Sequence, residues 1–244
     1  MISTALEAAL PHVSDIGPLS RRLATLSLKG LTSVIRATDT EAQRRAVGSL
    51  INNRYAWRGY GSGFTVEERP GQMTLFATDY PRGIPIGTLT VRLDRAEGLL
   101  ADILYPDPAE LQRLRTEGRR LCEMVRFAVE GSVNCTHLLA ALFHVAFIFA
   151  HRLNECSDLL IEVNPRHAPF YCRMLQFQPF GIEKANPRVN APGVLLRLDL
   201  GYASQQIALL GGQRGSTQRS LYPYAFSPGE EKAIWKRMKA KAGK

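Results

Sequence analysis

The chain is poor in cysteine, and the few that it has exclude a zinc finger or zinc ribbon. Its 244 residues include four cysteines and no Cys-x-x-Cys pair, whereas structural zinc sites need closely spaced ligands. Three of the four stand inside or beside apolar runs, where a free buried thiol is expected. We therefore expect a reducing, cytoplasmic compartment. The cysteines are Cys122, Cys135, Cys156 and Cys172.

Histidine is also scarce, and its spacing argues against a metal site. His137, His144 and His151 recur every seven residues along one predicted helix. Seven residues correspond to a rise of about 10.5 Å, which is too far for one ion to be shared. The sequence therefore predicts no bound metal.

Long apolar runs are missing as well. The best candidate, Leu138–Ala150, is shorter than the roughly 20 residues that a membrane span needs, and it contains His144. We expect a buried core helix there. The sequence also carries no zinc-finger, helix-turn-helix or aromatic-rich strand motif typical of nucleic-acid binding.

Acidic residues are outnumbered by basic ones, which gives a net charge of +9. Residues 202–244 contain eight lysines and arginines against Glu230 and Glu231. Such a tail can attract anionic lipid, including peripheral membrane contact, or an acidic protein. A merely solvated tail is the alternative, and the sequence leaves both open.

The pattern of apolar residues predicts one mixed sheet with helices packed on it, an α/β fold. We expect a leader over 1–37, a main domain over 38–201 and a basic tail over 202–244. Thr38–Glu41 resembles a capping box at the start of a helix. The predicted strands are Met73–Thr78, Ile84–Leu93, Leu121–Val129, Asp158–Val163, Phe177–Ile182 and Gly193–Leu200, and the other predicted helices are Asp107–Gly118, Thr136–Leu153 and Arg166–Leu175.

The strand Leu121–Val129 carries two opposite charges within an apolar run. A buried carboxylate is costly unless it is paired or used, so Glu123 is a candidate general base and Arg126 an anchoring cation. Strict alternation places the two side chains on opposite faces, and a shared site therefore requires a bulge. The alternative is a purely structural ion pair.

The segment Asn164–Phe177 is more specific. It ends a strand in Asn-Pro and continues with a short helix that carries Phe170 and Tyr171. This segment resembles the Asn-x-x-x-x-x-Phe-Tyr-x-x-x-Gly-Phe signature of the GNAT superfamily of N-acyltransferases. Gln176 stands where that signature has glycine, and a turn with positive φ would be strained there. Without the resemblance, Tyr171 reads as a half-buried packing residue.

Other motifs narrow the resemblance, which covers about residues 38–200. Glu123–Val129 resembles the Glu-x-Ser-Arg-Phe-Ala-Val strand of acyl-homoserine-lactone synthases, with Val125 in place of the serine. Three further motifs resemble those of relatives that make long-chain N-acyl amino acids. They are Arg54-Tyr55 before Gly59-Tyr60, Gly98-Leu99 with Asp102, and Arg188–Pro192. The resemblance implies a GNAT-like, mostly antiparallel sheet flanked by helices.

The resemblance also implies a donor. GNAT enzymes that use acyl-CoA usually have a glycine-rich loop that holds the pyrophosphate at a helix N-terminus. Residues Glu130–His137 contain a single glycine. We therefore expect acyl carrier protein as the partner and its acyl-phosphopantetheine thioester as donor substrate, with acyl-CoA as the alternative. An acidic carrier suits a basic enzyme, and no bound cofactor is expected.

The family's roles carry over to matching positions. Glu123 would deprotonate an amino acid acceptor, and Arg126, Arg54 and Arg92 would bind its carboxylate. Tyr171 would protonate the departing thiolate, and Asn164 would contact substrate. Backbone N–H groups of Phe127, Ala128 and Val129 would stabilise the oxyanion. Aromatic residues of the apolar helix would line an acyl tunnel or simply pack in the core: Phe143, Phe147 and Phe149.

Three other functions stay open at this point. An acyl-homoserine-lactone synthase would differ in its acceptor and in a lactonisation step, and Val125 argues against it. An acyl-CoA-dependent acetyltransferase would differ in its donor. A non-catalytic GNAT-like module would use its basic tail to dock a partner, and the presence of Glu123, Asn164 and Tyr171 argues against that.

Overall fold

One mixed sheet dominates the computed structural model, which describes residues 22–28, 31–105, 108–131 and 136–242. Its strand order is β1-β2-β3-β4-β5-β6-β9-β7, and β8 pairs with β9. Within the described residues only β5 and β6 are parallel neighbours. This confirms the predicted, mostly antiparallel sheet. The strands are β1 (Ala24–Leu28), β2 (Leu31–Ala37), β3 (Gln72–Tyr80), β4 (Pro85–Leu93), β5 (Leu121–Val129), β6 (Asp158–Val163), β7 (Gln178–Pro179), β8 (Lys184–Asn186) and β9 (Ala191–Asp199).

Helices cover both faces of the sheet. The first three pack on one face, where Val47 and Ile51 meet Ala128, and Leu114 meets Leu121. The last four pack on the other face in the largest apolar cluster. The helices are α1 (Glu41–Trp57), α2 (Leu100–Leu104), α3 (Pro108–Thr116), α4 (Thr136–Phe147), α5 (Ala168–Leu175), α6 (Leu200–Leu210) and α7 (Pro228–Ala242), with a π-helical continuation of α4 over Ile148–Leu153.

A capping box starts α1, but two residues later than predicted. The Thr40 hydroxyl accepts a hydrogen bond from the Gln43 N–H at 3.2 Å, and the Gln43 side chain accepts from the Thr40 N–H. The prediction of a box over Thr38–Glu41 was therefore wrong in register, because Gln43 supplies the reciprocal bond.

The central strand β5 carries the bulge that the sequence requires. Pairing with β4 shifts register between Thr88 and Thr90, and Arg126 adopts a positive φ of 54°. Before the bulge, Leu121 packs towards α2 and α3. Beyond it, Ala128 packs against α1 and Phe127 packs towards α4. The bulge therefore resets which residues of β5 face each layer of helices.

The parallel strands β5 and β6 pair over a short stretch and then separate. The last matched residues are Met124 and Ile161. Beyond them, Val125–Val129 and Glu162–Asn164 face an opening that we call the β5–β6 cleft. Both faces of the sheet meet at this cleft.

The apolar helix is a core element, as predicted. Among the described residues, Thr136–Leu153 alone has the length and composition of a membrane span, and 67% of it is buried inside the protein. Leu138, Leu142 and Val145 are fully buried against the sheet. Cys122 and Cys156 are buried free thiols, as expected, whereas Cys135 lies outside the described residues.

The segments on either side of the predicted main domain join its core. β1 and β2 extend the sheet beyond β3, so the described part of the predicted leader is strand. α6 and α7 bury Ile207, Ile234 and Met238 in the main cluster. The Arg237 guanidinium of α7 donates to the Leu23 carbonyl at 2.8 Å. The boundaries near 37 and 201 stay predictions.

Candidate active site

Glu123 lies on β5 directly opposite Arg92 of β4. Its Oε1 accepts from Arg92 Nη1 at 3.0 Å and from the Leu100 N–H at 2.7 Å, and its Oε2 accepts from the Ala101 N–H at 3.1 Å. The carboxylate therefore contacts the N-terminal end of α2. A single guanidinium nitrogen reaches it, so this is not a two-point ion pair.

The environment of Glu123 suits a general base. Its side chain is 4% exposed. Burial raises the pKa of this carboxyl, although the Leu100 N–H, the Arg92 charge and the Ala101 N–H oppose that rise. A carboxylate offers about four lone-pair positions, and three donors occupy it here. One position on Oε2 stays available for a proton.

A charged network fixes the N-terminal end of α2. Asp102 accepts from the Leu99 N–H at 2.7 Å. Arg115 of α3 binds Asp102 and Asp94, with nitrogen–oxygen distances between 2.6 and 3.0 Å. The network holds the N–H groups that receive Glu123, so the Gly98-Leu99…Asp102 motif positions the carboxylate.

Arg126 lies on the bulge, on the same side as Glu123. Burial lowers its pKa, and the largest further influences on that pKa come from Tyr55 of α1 and Arg92. Arg92 thus lies within electrostatic reach of both Glu123 and Arg126. The structure brings these three predicted residues together, with Arg92 paired to Glu123.

Arg54 is placed elsewhere. Its guanidinium lies 3.7 Å from Glu130, stacks on Trp57 at 4.9 Å and packs against Gly131. Seven residues of strand separate Glu130 from Glu123, which is about 20 Å. Arg54 therefore lies at the far end of β5, beside the loop that follows it.

Backbone N–H groups of β5 open into the cleft. The Glu130 N–H donates to Ile86 of β4 at 2.9 Å. Alternate residues of a strand point the same way, so the Ala128 N–H faces β4. The Phe127 and Val129 N–H groups face the cleft instead. The oxyanion role predicted for Phe127, Ala128 and Val129 stays a prediction.

Tyr171 of α5 approaches the cleft from the opposite face. Its ring packs against Phe143 and Phe177 at centroid distances of 6.2 and 5.9 Å. Burial raises the pKa of Tyr171 well above its usual range, with smaller effects from Tyr55 and Arg58 of the other face. The phenol therefore stays protonated at neutral pH and reaches towards both layers.

Asn164 and Gln176 frame α5. The Asn164 side chain accepts from the Arg166 N–H at 3.2 Å and so caps the turn before the helix. Its contact with substrate stays a prediction. Gln176 ends α5 in the left-handed conformation with φ of 62°, as expected for a position where the family signature has glycine.

An apolar cavity of about 40 Å³ lies behind the aromatic residues. Phe143 lines it and also contacts Phe127 of β5 at a centroid distance of 5.4 Å. Phe147 lines it too, whereas Phe149 is only partly buried against the core. The far wall of the cavity is formed by residues that follow β9 in the sequence: Ala203, Ile207, Leu221, Tyr222 and Ala225.

The sequence reasoning missed several polar residues of this region. Glu162 of β6 and the N–H groups of α2 were given no role, and Tyr55 of α1 was named only as part of a motif. A carboxylate inside the apolar strand Asp158–Val163 is the same signal that identified Glu123. The α2 donors had no signal of their own, because any residue supplies an N–H. Within the described residues, no group of three His, Cys, Asp or Glu could hold a metal ion.

A bulged central strand, a parallel pair that opens into a cleft and a buried glutamate beside it define an amide-forming N-acyltransferase of the GNAT type. The family model of the N-acyl amino acid synthase FeeM matches residues 46–199, which is more than half of the chain. The chain therefore belongs to the FeeM N-acyl amino acid synthase family.

Solved structures resemble the chain to different degrees. FeeM, an N-acyl amino acid synthase from uncultured soil microbes, matches with 26% identity and a TM-score of 0.60, over 70% of this chain and 92% of that one. A putative N-acetyltransferase from Lactobacillus plantarum has 16% identity, a TM-score of 0.50 and coverages of 69% and 98%, which shows the fold alone. The acyl-homoserine-lactone synthase LasI has 15% identity, a TM-score of 0.45 and coverages of 69% and 90%. A search of curated proteins gives no match.

Proposed function

We propose that this protein transfers a long-chain fatty acyl group from acyl carrier protein to the amine of a free amino acid, in the cytoplasm. One observation carries the proposal. Glu123 is buried beside the cleft, its pKa is raised by that burial, and it keeps one lone-pair position unoccupied. An ammonium must lose a proton before it can attack a thioester, and such a carboxylate is suited to accept that proton.

The acceptor would enter from the face covered by α1 and α2. Arg126 would bind its carboxylate, because a guanidinium pairs with a carboxylate through two parallel hydrogen bonds. Arg92 would keep Glu123 oriented. Arg54, beside Glu130 and Gly131, lies nearer to Arg126 than to Glu123 along β5 and would contact the acceptor carboxylate or the donor.

The acyl transfer follows in two bond changes. The neutral amine attacks the thioester carbonyl carbon, and the oxygen gains negative charge that the Phe127 and Val129 N–H groups would stabilise. The carbon–sulfur bond then breaks, and the Tyr171 hydroxyl would give its proton to the departing thiolate. The raised pKa of Tyr171 keeps that proton available. The nitrogen, cationic after its attack, would lose its extra proton to the Tyr171 phenolate, directly or through water, which leaves a neutral amide and restores the phenol.

The acyl chain would lie on the opposite face, in the apolar cavity behind Phe143 and Tyr171. The cavity is small, so we expect the chain to widen it on binding. Much of its wall follows Asp199, where the family match ends. This part of the chain is therefore where acyl length would be selected.

The donor is proposed from charge and from the loop after β5. The chain carries a net charge of +9, which favours association with an acidic carrier protein. Glu130–His137 has one glycine, fewer than the glycine-rich loops that let the backbone approach a nucleotide pyrophosphate closely.

The test is a product screen. The purified protein is incubated with a mixture of the twenty amino acids and either long-chain acyl carrier protein or acyl-CoA of equal chain length. Mass spectrometry then detects N-acyl products. We expect N-acyl amino acids to form faster from the carrier protein. Equal or greater rates from acyl-CoA would refute the donor assignment, and the absence of any N-acyl amino acid would refute the function.

A further inference from the structure

Glu162 is a second carboxylate of the cleft, and the proposed reaction does not yet use it. It is the first residue of β6 beyond the pairing with β5. It lies two residues after Leu160, which packs with α2 and α3, so its side chain shares the face of Glu123. Its side chain is 17% exposed, against 4% for Glu123. Glu162 is therefore the more accessible of the two carboxylates.

The fold holds Glu162 from the side away from the cleft. Oε1 accepts from the Asn186 amide, and Oε2 lies 3.1 Å from Arg188 Nη2. A Cβ atom at Gly193 of β9 would lie 2.6 Å from Oε1, so the glycine makes room for the carboxylate. Each oxygen has one protein donor, which leaves a lone-pair position on each for a ligand.

A buried hydroxyl nearby lacks a partner. Tyr105 is 7% exposed, and its hydroxyl oxygen has no hydrogen-bond partner among the described residues. Buried hydroxyls are normally satisfied. Tyr105 packs in the same apolar cluster as Leu160, two residues before Glu162, and Lys184 Nζ lies 5.2 Å from the centre of its ring. Tyr105 therefore lies on the same side of the sheet as Glu162. A polar ligand bound beside Glu162 would supply the hydrogen bond that the Tyr105 hydroxyl lacks.

Arg126 and Glu162 stand on neighbouring strands, each shortly beyond the last paired residues, Met124 and Ile161. After burial, the influences on the pKa of Tyr55 are Arg126, Tyr60, Glu162 and Arg188. Tyr55 therefore lies within electrostatic reach of a cation on β5 and a carboxylate on β6. A free amino acid is a zwitterion, whose carboxylate complements Arg126 and whose ammonium complements Glu162.

We propose that Glu162 binds the ammonium group of the amino acid acceptor while Arg126 binds its carboxylate across the cleft. This rests on the proposed function. Arg126 and Arg188 make the region cationic, and an ammonium would be repelled without a carboxylate to receive it. Glu123 is compensated by Arg92 and enclosed by α2, so it serves as proton acceptor and Glu162 as the anchoring group.

The test separates the two ends of the acceptor by titration calorimetry. Each of the twenty amino acids is titrated into the full chain, and the tightest binder is compared with its des-amino acid and its methyl ester. We expect wild type to lose affinity for both analogues by at least ~10-fold, as for loss of a charged hydrogen bond. Glu162→Gln should lose discrimination against the des-amino acid, and Arg126→Ala discrimination against the ester.

Two further variants serve as controls. Gly193→Ala displaces the Glu162 carboxylate without removing its charge, and it should weaken ammonium recognition as Glu162→Gln does. Glu183→Gln removes an exposed carboxylate from the same side of the molecule, and it should bind as wild type does. Thermal melting identifies any variant that fails to fold. If Glu162→Gln or Gly193→Ala does so, the other of these two variants tests the proposal.

The possible failures are distinguishable. If Glu162→Gln and Gly193→Ala both discriminate against the des-amino acid as wild type does, Glu162 does not bind the ammonium, whatever the product screen shows. If wild type binds no amino acid, the inference also fails. If binding follows the expected pattern but no N-acyl product forms, the ammonium site stands and the proposed transfer is wrong.

Discussion

The two faces of the sheet differ in chemistry more than in shape. The face under α1, α2 and α3 carries Arg92, Glu123, Arg126 and Glu162, all buried or half-buried and mostly held in charged contacts. The face under α4 to α7 is apolar and encloses the cavity, with His144 as a buried polar exception. A charged acceptor and an aliphatic chain need these two environments.

The bulge of β5 lets one strand serve both environments. Glu123 and Arg126 lie on the polar face, and Phe127 turns to the apolar one. The cleft joins the faces at the point where an amine would meet a thioester. The comparison teaches that separation of the two substrates comes from the sheet itself, and the following variants test each face.

The largest expected effect is on the polar face. Glu123→Gln keeps one oxygen for Arg92 and the Leu100 N–H but turns an NH2 group towards the Ala101 N–H, so a small loss of stability is expected. Turnover per folded molecule should fall by ~100-fold or more, since the proton acceptor is gone. Steady-state kinetics and a thermal melt measure both. Glu68→Gln, which removes an exposed carboxylate beside Arg44, is the control. Near-normal turnover of Glu123→Gln would remove it from the mechanism.

On the apolar face, the expected effect is on stability. Burial raises the pKa of Glu231, but hydrogen bonds to His144 and Arg152 outweigh this and lower it to about 2. A lowered carboxyl pKa stabilises the fold above the unfolded value of 4.5, and this is lost as pH falls towards 2. Glu231→Gln should therefore be less stable at pH 7 by roughly 2–3 kcal/mol.

Urea unfolding between pH 7 and pH 3 checks this prediction. The stability difference between wild type and Glu231→Gln should shrink as pH falls, while turnover per folded molecule stays unchanged. A difference that is constant across this pH range would show that the carboxylate does not contribute through its charge.

A smaller effect is expected from the cavity wall. Ala203→Val narrows the cavity, so the rate with the longest acyl donors should fall by about 10-fold relative to short ones, the usual scale for a methylene or two in an apolar pocket. Competition between acyl donors of different length measures this ratio. Ala56→Val, on the exposed side of α1, should leave the ratio unchanged. An unaltered preference in Ala203→Val would place the acyl chain elsewhere.

The smallest effect concerns the end of α5. Gln176 has a positive φ of 62°, and glycine adopts that conformation without a side-chain penalty. Gln176→Gly should therefore raise the free energy of unfolding by up to ~1 kcal/mol, with activity unchanged. Gln178→Gly, in a strand, should lower it. Denaturant unfolding of both variants decides, and a less stable Gln176→Gly would contradict the strain argument.

Much of the fold could be predicted because its signals are local. The helix predicted from the apolar run Thr136–Leu153 and the short apolar strand Asp158–Val163 both form as expected. The strand predicted over Phe177–Ile182 shrinks to Gln178–Pro179, because its further pairing depends on β9. The register of the capping box depended on which side chain, Glu41 or Gln43, turns back to the helix start.

The candidate site was predictable to the extent that its chemistry is unusual for its surroundings. Glu123 and Arg126 stood out as charges in an apolar strand, and the need for a shared site required the bulge. The pairing of Glu123 with Arg92 and α2 could not be predicted, since it depends on register between distant segments. The contact of Arg54 with Glu130 and Trp57 could not be predicted for the same reason.

The left-handed backbone at Arg126 narrows what this position can tolerate. Glycine would relieve the conformation but remove the guanidinium, and lysine would keep the charge but lose the planar pair of donors. Asparagine accepts such a conformation readily yet carries no charge. The backbone at this position therefore favours glycine or asparagine, whereas the proposed role of the side chain requires a guanidinium. Arginine supplies the guanidinium although its backbone conformation is unfavourable.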